Sequence, residues 1–126
     1  MPTADWIIRA FKEKVARFLK EARVAAKLLC RRPSQTEVAA KAKHISGLHK
    51  NLGHVPPEID TTGKVAELLE YLDTAFNSAE AMLRLAAEYQ RLGSPHDAKR
   101  VYDETLPAFA KAVNAAADEV EAKCSI

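Results

Sequence analysis

Apolar residues recur at steps of three and four through almost the whole chain, the spacing that places them on one side of an α-helix. Runs of Val, Ile and Thr with the alternation typical of strands are missing. Ala-rich segments and only four Gly also favour helices. A chain of 126 residues buries a core without help from a disulfide or a metal. The sequence therefore predicts an all-α protein with a single domain over residues 1–126.

Local start and stop signals divide this domain into four helices, near residues 4–31, 35–52, 62–92 and 95–122. Pro33 ends the first helix, and Ser34 followed by Glu37 spells a capping box for the second. A turn of about two residues after Gly93 makes the third and fourth helices antiparallel. These features predict an antiparallel four-helix bundle.

The third and fourth predicted helices each keep one apolar phase across a residue that could have interrupted them. In the third, the phase continues through Asn77 and Ser78. In the fourth, it continues past Pro107, which we expect to kink the helix without ending it. The positions expected to face the core of the fourth helix are Ala98, Tyr102, Thr105, Phe109, Val113, Ala116 and Val120.

Charge is distributed unevenly along the chain. Residues 1–50 contain 12 Lys or Arg and 4 Asp or Glu, whereas residues 51–126 contain 7 and 13. In the first helix, cations form a stripe opposite the apolar face, at Arg9, Lys12, Lys20, Arg23, Lys27 and Arg31. One interpretation is that basic and acidic helices lie side by side and partly neutralise one another. The other is that the stripe, with Trp6 near its start, binds an anionic membrane or another anionic surface.

The third helix carries a second apolar stripe about 100° from its core positions, formed by Tyr71, Met82, Leu85, Tyr89 and Leu92. An apolar face this wide either contacts two neighbouring helices or offers one side to a partner. Tyr and Met are residue types enriched at interfaces. We therefore predict a protein-binding face at these five positions.

The segment 42–53, with the sequence AKHISGLHKNLG, resembles the phospho-accepting helix of histidine phosphotransfer domains, which are helical bundles. When Gly47, Asn51 and Leu52 are aligned with that family's pattern, Lys43 takes the position of the phosphorylated histidine. His44 follows one residue later, about 100° around the helix. The resemblance therefore implies a degenerate domain of this kind, without its phosphate acceptor.

Residues that would support catalysis or metal binding do not form a recognisable pattern. His44, His49 and His54 are separated by steps of five, which point in different directions on a helix. No Ser/His/Asp order or Gly-rich phosphate loop is present. We therefore expect no enzyme activity, no metal and no cofactor. Cys30 and Cys124 are expected to be free thiols.

These observations together predict a soluble, non-enzymatic helical protein-protein interaction module, an adaptor or a small subunit of a larger assembly. The expected partner is another protein or a second copy of the chain. A peripheral binder of anionic membrane is the first alternative, and a degenerate phosphotransfer-like domain is the second. Nucleic acid is not expected, because no aromatic residues interleave the basic stripe. The expected location is intracellular and cytoplasmic, with the mitochondrion left open because basic amphipathic helices also serve as import signals.

Overall fold

The computed structural model describes residues 2–126, and every regular element among them is helical. The elements are α1 (Asp5–Leu29), α2 (Gln35–Lys50), α3 (Lys64–Arg91), α4 (Pro95–Arg100), a π-helical turn (Val101–Thr105) and α5 (Leu106–Cys124). The last three follow one another without a break and form one helical segment, 95–124. The all-α prediction is confirmed, and the predicted helix ends differ from the observed ones by about two residues or fewer.

Different side chains cap the starts of α2 and α3. Ser34 and Glu37 form the predicted capping box, in which the Glu37 N–H donates to Ser34 Oγ over 3.1 Å. The start of α3 is held by Asp60, whose Oδ2 accepts from the N–H groups of Val65 at 3.0 Å and Ala66 at 3.2 Å. This carboxylate lies upstream of Gly63, which takes the left-handed conformation that glycine adopts readily. The loop geometry therefore creates a cap that no short sequence pattern describes.

The apolar positions of α1 and α3 form the centre of one hydrophobic core. In α1 the buried residues include Phe11, Val15, Phe18, Ala22, Ala26 and Leu29, as the sequence predicts. In α3 the predicted phase is buried from Val65 to Ala86, and the helix continues unbroken through Asn77 and Ser78. α1 packs against α2 and α5, while α3 packs against α2 and the 95–124 segment.

The 95–124 segment departs from its predicted phase at the π-helical turn. Tyr102, Thr105 and Phe109 are only half-buried, and the fully buried positions there are Val101, Leu106 and Ala110. The prediction for this stretch is wrong because the turn widens the helix: the N–H of Leu106 donates to the carbonyl of Val101, five residues earlier. Pro107, which has no N–H and would crowd a carbonyl of an ordinary α-helix, is the second residue after this turn.

The long connection between α2 and α3 packs against the core and against the start of the chain. Leu52 and Pro56 are buried, and Val55 and Ile59 pack on the core cluster. The backbone N–H of Thr3 donates to Glu58 Oε1 over 2.8 Å, and this hydrogen bond lowers the pKa of the Glu58 carboxyl. The connection therefore joins the beginning of α1 to the beginning of α3.

Candidate interaction surfaces

The second apolar stripe of α3 is divided between solvent and the core. Leu92 is 67% exposed, and Tyr71 and Leu85 are each 38% exposed. Met82 and Tyr89 are half-buried and pack against the core cluster. The stripe is therefore divided: Met82 and Tyr89 support the core, while three large apolar side chains remain open to solvent.

An apolar groove lies beside Tyr71, between α3 and the 95–124 segment. Its volume is about 270 Å³, and it is lined by Tyr71, Thr105, Ala108, Phe109 and Ala112. Two of these residues are small alanines and two carry aromatic rings. The periodicity of the sequence does not predict this groove, because it places Phe109 and Thr105 in the core. The π-helical turn shifts both residues to the edge of the core, where they meet Tyr71.

Acidic side chains lie next to the groove on α3. Glu67 and Glu70 are exposed and precede Tyr71 by four and one residues. Glu67 has one cation nearby, Lys64, whose Nζ lies 4.0 Å from its carboxylate. An ion pair this long and exposed contributes little to stability. The apolar groove therefore has negative charge beside it that remains available to an incoming partner.

The predicted basic stripe of α1 separates into cations that contact α5 and cations that face solvent. Arg23 Nη2 lies 2.8 Å from Asp118 Oδ1 and 3.0 Å from Glu121 Oε1. Lys12 is half-buried beside Cys124, a buried thiol whose pKa is raised by that burial. The other members of the stripe are exposed and form no ion pair with a carboxylate of residues 2–126; they are Arg9, Lys20, Lys27 and Arg31.

Two arginines connect the basic N-terminal part of the chain to the acidic C-terminal part. Arg23 pairs with two carboxylates of α5, and Arg32 Nη2 lies 3.1 Å from Asp103 Oδ1. The Arg32 guanidinium also lies 5.1 Å from the centre of the Tyr102 ring, within the range of a cation–π contact. Basic and acidic helices therefore do lie side by side and neutralise one another in part, while most of the α1 stripe faces solvent.

A polar cluster of Ser46, His49 and Asp73 joins α2 to α3. Asp73 is central: its Oδ2 lies 3.0 Å from His49 Nδ1, and its Oδ1 accepts the hydroxyl hydrogen of Ser46 at 2.5 Å. The His49 ring also lies against Phe18 of α1, with 6.0 Å between ring centres. A Ser nucleophile needs to donate its proton to the imidazole, whereas here the carboxylate takes that hydrogen bond. The geometry is thus that of a polar link between helices.

The histidine of the phosphotransfer-like segment is exposed on α2. His44 Nε2 lies 3.6 Å from Glu21 Oε2 of α1, and Lys43 is also exposed. Gly47 lies on the same helix, and a side chain at that position would meet open space. Among residues 2–126, no group of three or more His, Cys, Asp or Glu side chains could hold a metal ion. Cys30 is exposed and Cys124 is buried, and both thiols are free.

None of the helices formed by residues 2–126 has the length and apolarity needed to cross a bilayer. Comparison with protein-family models finds no match for this chain. Comparisons with curated proteins and with solved structures find no significant match either. Function must therefore be inferred from the surface chemistry of the chain itself.

Proposed function

We propose that this chain is a non-enzymatic helical interaction module, an adaptor or a small subunit of a larger assembly, built on an antiparallel four-helix bundle. Contacts between side chains support the bundle. Gln35, at the start of α2, meets Glu80 late in α3, while Ser46, near the end of α2, meets Asp73 earlier in α3. Neighbouring segments that meet in this reversed order run antiparallel. A rigid bundle of this kind offers fixed helix faces to a partner.

The observation that carries the proposal is the apolar groove at Tyr71 together with the exposed leucines along the same side of α3. Tyr71 and Leu92 are 21 positions apart, which corresponds to roughly 32 Å of helix. Three large apolar side chains over this length, with an adjoining groove between two helices, favour a partner that lies along α3. We call this surface, formed by Tyr71, Leu85, Leu92, Ala108 and Phe109, the α3 face.

The chemistry of the α3 face favours a partner helix with an apolar stripe flanked by cations. A helix places side chains every three or four residues along a groove, which suits a lining that includes the small residues Ala108 and Ala112. Cations beside that stripe would meet Glu67 and Glu70, which are exposed on α3. Such charges would direct the approach and orientation of the partner more than they would increase its affinity.

The experiment that tests this proposal adds charge to the α3 face without disturbing the core. The double variant Tyr71→Glu/Leu85→Glu changes two partly exposed side chains, and the control Ala39→Glu/Ala40→Glu adds the same charge to the exposed side of α2. Proteins captured by each variant from the native cell extract are quantified, and binding of the purified candidates is then measured. We expect one or more proteins to bind the wild type and the α2 control, and to bind the α3 variant at least about tenfold more weakly.

Self-association is measured on the same proteins by sedimentation, so that a second copy is tested as the partner. Thermal unfolding of each variant verifies that the bundle is intact. If the α3 variant keeps the fold and retains every binding partner and any self-association of the wild type, the α3 face does not bind proteins.

A further inference from the structure

The solvent side of α1 combines cations with exposed large apolar side chains. At about 100° per residue, seven of its residues fall within an arc of roughly 80°, opposite the buried face. All seven are exposed: Trp6, Arg9, Glu13, Arg17, Lys20, Val24 and Lys27. We call this surface the outer face of α1. It contains four cations and one carboxylate, Glu13.

The cations of the outer face are not used by the fold. Arg23, on the side of α1 that faces α5, pairs with two carboxylates. None of the four outer cations pairs with a carboxylate of residues 2–126. Arg9 and Lys27 are 18 positions apart, so the unpaired charge extends over roughly 27 Å of helix. An extended row of solvated cations attracts an anionic surface of similar length.

Trp6 gives this face an apolar anchor at one end. Its side chain is 69% exposed, and the next residue, Ile7, is 41% exposed. Both border a hollow of about 360 Å³ at the end of the bundle, which Leu52 and His54 also line. An indole is apolar over most of its surface and carries one N–H donor, which suits it to the boundary between lipid headgroups and acyl chains.

We propose that the outer face of α1 docks the protein onto an anionic lipid surface, with α1 lying along the membrane and Trp6 inserted at the headgroup level. Membrane binding of this peripheral kind needs two signals, and this face supplies both a polybasic row and an apolar anchor. A lipid surface fits better than nucleic acid, since Trp6 is the only aromatic residue on the face and bases stack on several aromatic rings. The proposal concerns a different surface from the α3 face and does not depend on it.

Trp6 is the only tryptophan of the chain, so its fluorescence reports directly on this face. The probes are phosphatidylcholine vesicles with and without phosphatidylserine, and duplex and single-stranded DNA are tested in parallel. We expect the emission to shift to the blue only with the serine-containing vesicles. Raising the salt from about 0.1 M to about 1 M shortens the screening length from about 10 to about 3 Å and should reverse the shift.

Charge-reversal variants test whether the outer face of α1 is the surface that binds the vesicles. Lys20→Glu/Lys27→Glu should weaken co-sedimentation with the anionic vesicles by at least about tenfold, because each cation near the surface contributes to binding. Lys99→Glu/Lys111→Glu makes the same change of charge at exposed positions of the 95–124 segment and should bind like the wild type. The proposal is overturned by an unshifted Trp6 emission on anionic vesicles, by equal loss in both variants, or by binding to DNA in place of vesicles.

Discussion

At the scale of single residues, Asp60 has the most specific structural role, because one carboxylate oxygen accepts two N–H groups at the start of α3. Burial raises the pKa of Asp60, but the hydrogen bonds from Ala66 and Val65 outweigh it, and the net pKa is lowered. The ionised cap is therefore stabilising above the ordinary pKa of Asp and is lost as the pH falls through the lowered one. We expect Asp60→Ala to lower the Tm at neutral pH by a few degrees.

The matched variant Asp60→Asn distinguishes the contribution of the capping hydrogen bonds from that of the negative charge. An amide oxygen still accepts from the backbone N–H groups, so this variant should recover much of the lost Tm at neutral pH. Its stability should also depend less on pH in the acidic range than that of the wild type. Melting curves from about pH 3 to about pH 7 test both expectations, and an unchanged Tm for Asp60→Ala would show that the N–H groups find equivalent partners in water.

A second prediction for a single residue concerns the contribution of Asp73 to stability. It accepts the hydrogen bond of Ser46 and contacts His49, and all three side chains are partly buried. Asp73→Ala would leave both partners without their acceptor, so we expect the free energy of unfolding to fall by about 1 to 3 kcal/mol. Glu70→Ala, an exposed change on the same helix, should stay within about 0.5 kcal/mol of the wild type in urea denaturation. An equally small effect of both variants would mean that water replaces the hydrogen bonds of Asp73 without loss of stability.

At the scale of elements, α3 is one helix from Lys64 to Arg91, and its integrity can be tested in the middle. Ser78 is exposed, so Ser78→Pro removes a helical hydrogen bond without removing a core contact. We expect it to cost about 3 kcal/mol of unfolding free energy, whereas Ser78→Ala should be neutral or slightly stabilising. A loss well below 1 kcal/mol for the proline variant in chemical denaturation would indicate a local break in the helix.

How well the sequence predicts the buried positions differs from one helix to another. In α1 and α3 most buried positions follow from the steps of three and four, since an unbroken α-helix keeps that phase. Leu19, Ala25 and Ala75 are buried in addition to the predicted positions. In the 95–124 segment the π-helical turn adds one residue between Val101 and Leu106, and the predicted phase fails there, at Tyr102, Thr105 and Phe109. Before and after this stretch the predicted positions are buried, at Ala98, Val113, Ala116 and Val120. Pro107 lies close to the π-helical turn, but a proline in a sequence is equally compatible with a simple kink of an α-helix.

At the scale of the whole molecule, the sequence shows that charge is distributed unevenly along the chain. It does not show which cations form ion pairs and which face solvent. Composition cannot distinguish Arg23, which pairs with α5, from Lys20 and Lys27, which face solvent, because all belong to one predicted stripe. The groove is hidden for a similar reason: Tyr71 and Phe109 are distant in the chain, and only the packing of two elements brings them together. The periodicity of a sequence describes one helix at a time, whereas this groove is formed by residues of two packed elements.

The most direct test of the α3 face compares stability with association for two leucines on one helix. Leu85 is 38% exposed, and Leu83 is buried, with 3% of its surface accessible. For Leu83→Ala we expect a loss of about 2 to 5 kcal/mol in unfolding free energy. For Leu85→Ala we expect a loss below about 1 kcal/mol in stability, and about 2 kcal/mol or more in affinity for the captured partner. A large loss of stability with unchanged association for Leu85→Ala would contradict the proposal and assign this side of α3 to the core.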